Sequence, residues 1–173
     1  MPPEPLTQLS TDVSRYIVDN REKYRGSATP LSVEQVARMQ SYFSPELLAA
    51  VRVKHLINDR LETPSFYLMR LDLMSQTAFS LMAAITFVDV IVADAVLTDD
   101  ILFHELVHCE QYRQLGVRGF AEAYVKGALG YGSYHGIPLE EQAYMLGGRF
   151  ALNRNEPFSV RAEVASWISE CSF

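Results

Sequence analysis

Cysteine is almost absent. Two residues, Cys109 and Cys171, stand in a chain of 173, which excludes a disulfide-stapled scaffold. Basic stripes are missing too: 15 Lys and Arg face 21 Asp and Glu, for a net charge of −6. Binding a nucleic-acid backbone needs clustered positive charge, so no nucleic-acid partner is expected. The most membrane-like stretch, residues 78–97, is interrupted by Asp89 and Asp94, each costing about 2.5–3.5 kcal/mol at a bilayer centre. Its Val, Ile, Thr and Phe suit buried strands, and no membrane partner is expected. Met1-Pro2-Pro3-Glu4-Pro5 has neither the basic nor the apolar region of a secretory signal, so the expected location is cytoplasmic. With no internal repeat, low-complexity tract or linker, one domain over 1–173 is expected, large enough for a proper core.

Histidine is scarce as well, and its placement is informative. Of the four histidines, two fall in His104-Glu105-Leu106-Val107-His108. On a helix, residues four apart share a face, with Cβ atoms roughly 5–6 Å apart. Two imidazoles can then converge on one Zn²⁺ at about 2.0–2.1 Å each. Glu105 lies one step round, where a carboxylate can take a proton from water held by the metal. With so few histidines, chance placement of this pattern is on the order of a percent or less. The alternative, two helical histidines hydrogen-bonded to buried partners, is the weaker reading.

The surrounding elements give the motif a context. Leu6, Leu9, Val13, Ile17 and Tyr24 recur at helical spacing up to Gly26. Ser32-Val33-Glu34-Gln35 is a capping box opening a second helix towards Phe43, and Ser44-Pro45 starts a short third. These N-terminal helices, the 1–50 region, form a lid or a packing layer. A sheet region, 51–97, follows: a strand over 51–57, a second over 66–73, and 83–97 as one bent strand or two meeting near Val88-Asp89. A free edge there can hold an extended peptide by strand addition. His55 in the first of these strands reads as a structural residue rather than a ligand.

Thr98 or Asp99 caps the motif's helix, and Gly116 ends it. Leu102, Phe103, Leu106 and Val107 surround the histidines, so this helix enters the core. Cys109 points about 100° away from His108 and reads as a packed thiol. A second helix runs to Gly130, then a loop rich in Gly and Tyr, then a helix opened by Pro138 at its first position. The 98–153 region thus contains the metal-binding helices, and 154–173 a C-terminal helix. The expected fold is α+β, with a small sheet packed against the motif's helix.

A zinc site of this kind needs a third protein ligand. The candidates are His135, Glu140, Glu141, Glu156 and Glu163. Glu140 is favoured, because its helix can return alongside the first after one intervening helix. Gly147 and Ala151, on the same face as Glu140 and Tyr144, would let the two helices approach. Glu141, turned about 100° round, is the runner-up.

His104-Glu105-x-x-His108 followed by Glu140-x-x-Ala143 resembles the gluzincin type of zinc metallopeptidase, over roughly residues 84–150. The motif followed by Gln111-Tyr112 is also similar to small bacterial zincin-like domains of uncharacterised function. The resemblance implies a zincin-like fold, a minimal gluzincin, with His104, His108 and Glu140 as zinc ligands and Glu105 as general base. A peptide or protein would be its substrate. Donors for the oxyanion would come from Tyr131, Tyr134 or His135 in the loop before Glu140, where Gly132 and Gly136 permit movement. One position departs from the pattern: Tyr144 stands where gluzincins usually have an Asp that orients a ligating histidine. The competing expectation is a non-catalytic metal-binding or interaction domain on the same fold.

Overall fold

The computed structural model describes residues 3–56, 83–94, 96–131 and 137–170. Six helices and four short strands are laid out along them. The first helix, α1 (Pro3–Arg25), is followed by β1 (Thr29–Pro30), α2 (Val33–Met39), α3 (Pro45–Ala50) and β2 (Arg52–His55). Then come β3 (Ala84–Phe87), β4 (Val90–Ala93), α4 (Asp99–Tyr131), α5 (Pro138–Leu152) and α6 (Val160–Glu170). The expected α+β class holds. The strand expected over 66–73 lies outside the described residues.

Local chemistry sets most boundaries. Ser32 forms the capping box: its side chain accepts from Gln35 N while Ser32 N donates to Gln35 Oε1. That helix stops at Met39 rather than Phe43, because Tyr42 and Phe43 turn inward into the core. Ser44 caps α3, with Pro45 in its first turn. At the start of α4, Thr98 is the cap, accepting from Ile101 N at 3.3 Å. Two helical segments make up α4, joined at a sharp break at Gly116, where φ is 68° and ψ 169°. That backbone region is open essentially to glycine alone.

The sheet has the order β1-β2-β4-β3, with β2 and β4 parallel and both outer pairs antiparallel. Residues 83–97 therefore hold two strands, a hairpin turning at Val88-Asp89. Val88 sits at φ 63°, a conformation unfavourable for a β-branched residue. The turn is clamped from α1, where Arg21 donates to both oxygens of Asp89 and Arg25 to one. Although partial burial opposes the charge, the two guanidinium groups hold the Asp89 carboxyl below its ordinary range. β1 has only two residues and includes Pro30, too short a strand for alternation to reveal; it lies at an outer position that tolerates proline.

α4 is the hub. Leu102, Phe103, Leu106 and Val107 are fully buried, each contributing roughly 1.5–3 kcal/mol by leaving water. Phe103 stacks on Phe150 of α5 with ring centroids 4.3 Å apart, and Tyr42 meets both rings edge-on. Past Gly116, Phe120, Ala121, Val125 and Ala128 pack under Leu9, Val13 and Ile17 of α1. The N-terminal helix is thus a packing layer on α4. Among the described residues, no helix is long and apolar enough to cross a membrane.

Candidate metal centre

The helical spacing of His104 and His108 does what geometry requires: their rings lie on one face, with Nε2 atoms 3.1 Å apart. Glu140, in the first turn of α5, completes a triangle. Its Oε2 is 3.4 Å from each Nε2. Ligand atoms held about 2.0–2.1 Å from a tetrahedral metal stand about 3.3–3.4 Å apart, so the three atoms form one face of such a tetrahedron. Glu140 Oε2 is buried with no hydrogen-bond partner, an arrangement that is costly unless a cation faces it. The donor set, two imidazoles and a carboxylate, suits Zn²⁺, and the residues present fit such an ion. Among the described residues no fourth His, Cys, Asp or Glu joins the group.

Two helix contacts bring Glu140 in. The first is at Gly127, where α4 runs so close to the start of α5 that an added Cβ would lie 2.6 Å from Pro138 Cδ. The second is the apolar stripe Leu139, Ala143, Leu146 and Phe150, which is buried. The small-residue face expected to allow the approach does not: a Cβ at Gly147 would meet nothing within 4 Å, and Ala151 is exposed. The close approach is made by the glycine of α4. Glu141 points outward and is exposed, as is Glu156. Glu163 pairs with Arg149 at 2.7 Å instead. His55 is exposed on β2 and does not join the triangle.

Electrostatics at the centre follow from burial and proximity. Burial of His108 disfavours its charged form, but the Glu140 carboxylate outweighs this and pushes the imidazole up to about 9. Burial of Glu140 acts against its charge too, yet His108 and His104 hold its carboxyl well below the usual range. Glu105 is buried beside them, and its Oε2 accepts a 2.6 Å hydrogen bond from Thr86 Oγ1 on β3. Its charge also raises the His108 pKa. Cys109 is buried as a packed thiol, its pKa raised first by desolvation.

Tyr144, at the position of the expected acid, lays its ring 4.6 Å from that of His104 and is half-exposed. Another residue, to which the sequence pattern assigns no role, touches His108. Gln111 is fully buried, with Oε1 2.8 Å from His108 Nδ1. Its sequence signals are the spacing, three residues on from His108 and so on the same helix face, and its place in the Gln111-Tyr112 pair of the resemblance, which carries no role for it. Tyr134 and His135, expected in the catalytic set, lie outside the described residues, as does the Tyr131 side chain. No protein-family model, curated protein or solved structure matches the chain, and the chemistry of the site rests on its own residues.

Proposed function

We propose that the chain is a zinc-dependent metallopeptidase on a zincin-like fold. The observation that carries this reading is the near-equilateral triangle of His104 Nε2, His108 Nε2 and Glu140 Oε2, with edges of 3.1, 3.4 and 3.4 Å, beside the buried carboxylate of Glu105. A zinc ion bound there supplies Lewis acidity towards a carbonyl oxygen and lowers the pKa of water. His104, His108 and Glu140 would hold it, leaving a fourth position open among the described residues.

Glu105 is the general base. It takes the proton from the attacking water and passes it to the leaving amine. Thr86 Oγ1 bonds one of its oxygens, which orients the carboxylate and leaves the other oxygen for the proton. Thr86 belongs to β3, the outer strand next to β4 among the described residues, so the strand that positions the base also stands where an extended peptide could add to the sheet. Side chains of Tyr134 and His135 are the proposed oxyanion donors. A purely structural zinc site favours four protein ligands and gains nothing from a buried carboxylate beside them, and this supports catalysis over a binding domain.

The test is hydrolysis of a peptide library by zinc-loaded wild type and Glu105→Gln. Cleavage by the wild type and its loss in the variant, at equal zinc content, is the expected result. Zinc binding with no cleavage by either protein would favour the non-catalytic metal-binding domain.

A further inference from the structure

Gln111 has more to say than its contact with His108. Its Nε2 donates to Leu139 O at 2.9 Å and to Gln142 Oε1 at 2.9 Å. Gln142 in turn donates from Nε2 to Glu163 O at 3.3 Å. Backbone carbonyls accept and never donate. The two carbonyls, one on α5 and one on α6, therefore fix which end of each amide points where. Turning Gln111 over would set its oxygen against Leu139 O, and turning Gln142 over would set its own against Glu163 O. The oxygen left facing His108 can only accept, so Nδ1 of His108 must carry a hydrogen. In the neutral ring the lone pair then lies on Nε2, the corner of the triangle shared with His104 and Glu140.

We propose that Gln111 is a positioning residue: a neutral amide that fixes the ring orientation and the Nδ1–H of His108, and so presents Nε2 to the metal. This rests on the zinc reading of the site. His108 thus has its orienting partner on its own helix, whereas Tyr144 lies against His104. A carboxylate at position 111 would meet Leu139 O and Gln142 Oε1 with no hydrogen to offer, so an amide suits the place where an acid does not. Ligand orientation is thereby tied to the docking of α5 and α6, since Leu139 and Glu163 set the polarity of the relay. Residues that orient a ligating histidine commonly change metal affinity about 10–100-fold when removed.

Two substitutions separate positioning from mere helix tying. Gln111→Leu and Gln111→Glu both lose the donors to Leu139 and Gln142, but only Gln111→Glu keeps an oxygen for His108. Zinc affinity is read by competition with a chromophoric chelator, and the His108 Nδ1–H by ¹⁵N-histidine NMR on metal-free protein. The expected result is about 10–100-fold weaker zinc binding in Gln111→Leu, with a smaller loss in Gln111→Glu. The slowly exchanging Nδ1–H should be present in wild type and Gln111→Glu and lost in Gln111→Leu. Equal affinity losses in the two variants, or a protected Nδ1–H that survives in Gln111→Leu, would overturn the proposal. Should Gln111→Leu fail to fold, Gln142→Met removes one acceptor of the relay and should quicken exchange of the His108 Nδ1–H; unchanged exchange counts against it. If wild type takes up no zinc while its Nδ1–H depends on Gln111, the zinc reading fails and the hydrogen-bond assignment stands.

Discussion

Glu105 is a buried carboxylate with a hydroxyl donor on one oxygen, and its proposed role is to carry a proton. Glu105→Gln keeps the shape and the bond to Thr86 within reach but removes the base. Peptide hydrolysis should fall by about 10²–10⁴-fold with zinc content unchanged, measured by turnover against metal analysis on the same sample. The two histidines and Glu105 were legible in the sequence because their chemistry is tied to short-range spacing, whereas Glu140 was reached through the return of a later helix. Two histidines four apart must share a helix face, and the carboxylate after the first must lie close by. Gln111 was not legible as a functional residue. Its role depends on Leu139 O and Gln142, which lie 28 and 31 residues away, and no helical period reports a contact of that kind. Tyr144 was legible as a departure, but its contact with the His104 ring was not.

At the scale of elements, two glycines of α4 carry opposite burdens. Gly116 has space around it and a backbone only glycine adopts readily. Gly116→Ala should therefore destabilise the fold by about 1–3 kcal/mol through backbone strain, seen in denaturant unfolding. Gly127 is helical but has no space, because Pro138 Cδ lies where its Cβ would go. Pro138 is a rigid ring two residues before Glu140, so Gly127→Ala should push the start of α5 away from α4. Zinc affinity should then fall along with stability, whereas Gly116→Ala should reduce stability with less effect on affinity; a chelator competition on both variants checks the contrast. The sequence announced Gly116 as a helix end and Pro138 as a helix start, since both are local backbone constraints. It pointed to Gly147 and Ala151 for the helix approach, and there it misled. A small residue marks a close approach only if a neighbour is packed against it, and the neighbour is a tertiary fact. The hairpin at Val88-Asp89 was likewise left open between one strand and two, because a positive φ at valine runs against turn preference. Arg21 and Arg25, 68 and 64 residues earlier than Asp89, help hold it.

For the molecule as a whole, the buried triangle couples folding to protons and, on the proposed reading, to metal. His108 is pushed up from 6.5 to about 9 in the folded protein, so its contribution to stability is complete below 6.5 and is lost as pH rises through 9. Glu140 is lowered from 4.5, so its contribution is present above 4.5 and is lost as pH falls. The metal-free protein should therefore have its highest contribution from this pair between 4.5 and 6.5, with a thermal midpoint that declines towards pH 9. Metal binding needs the Nε2 lone pair and displaces a proton. Zinc affinity should rise over the same interval, and zinc-loaded protein should escape the decline; melting curves with zinc and with chelator from pH 5.5 to 9 read both. The α+β arrangement that makes this possible was legible from periodicity and caps, and α1 as an amphipathic helix from its apolar stripe, though its part as lid or packing layer was left open. The order β1-β2-β4-β3 was not, because it is set by pairing between distant short strands. The most direct test of the central claim is zinc-edge anomalous diffraction from crystals of the zinc-loaded protein. The expected result is one strong peak about 2.0–2.1 Å from His104 Nε2 and His108 Nε2 and about 2.0–2.2 Å from Glu140 Oε2; an anomalous map with no peak within bonding distance of these three atoms would contradict it.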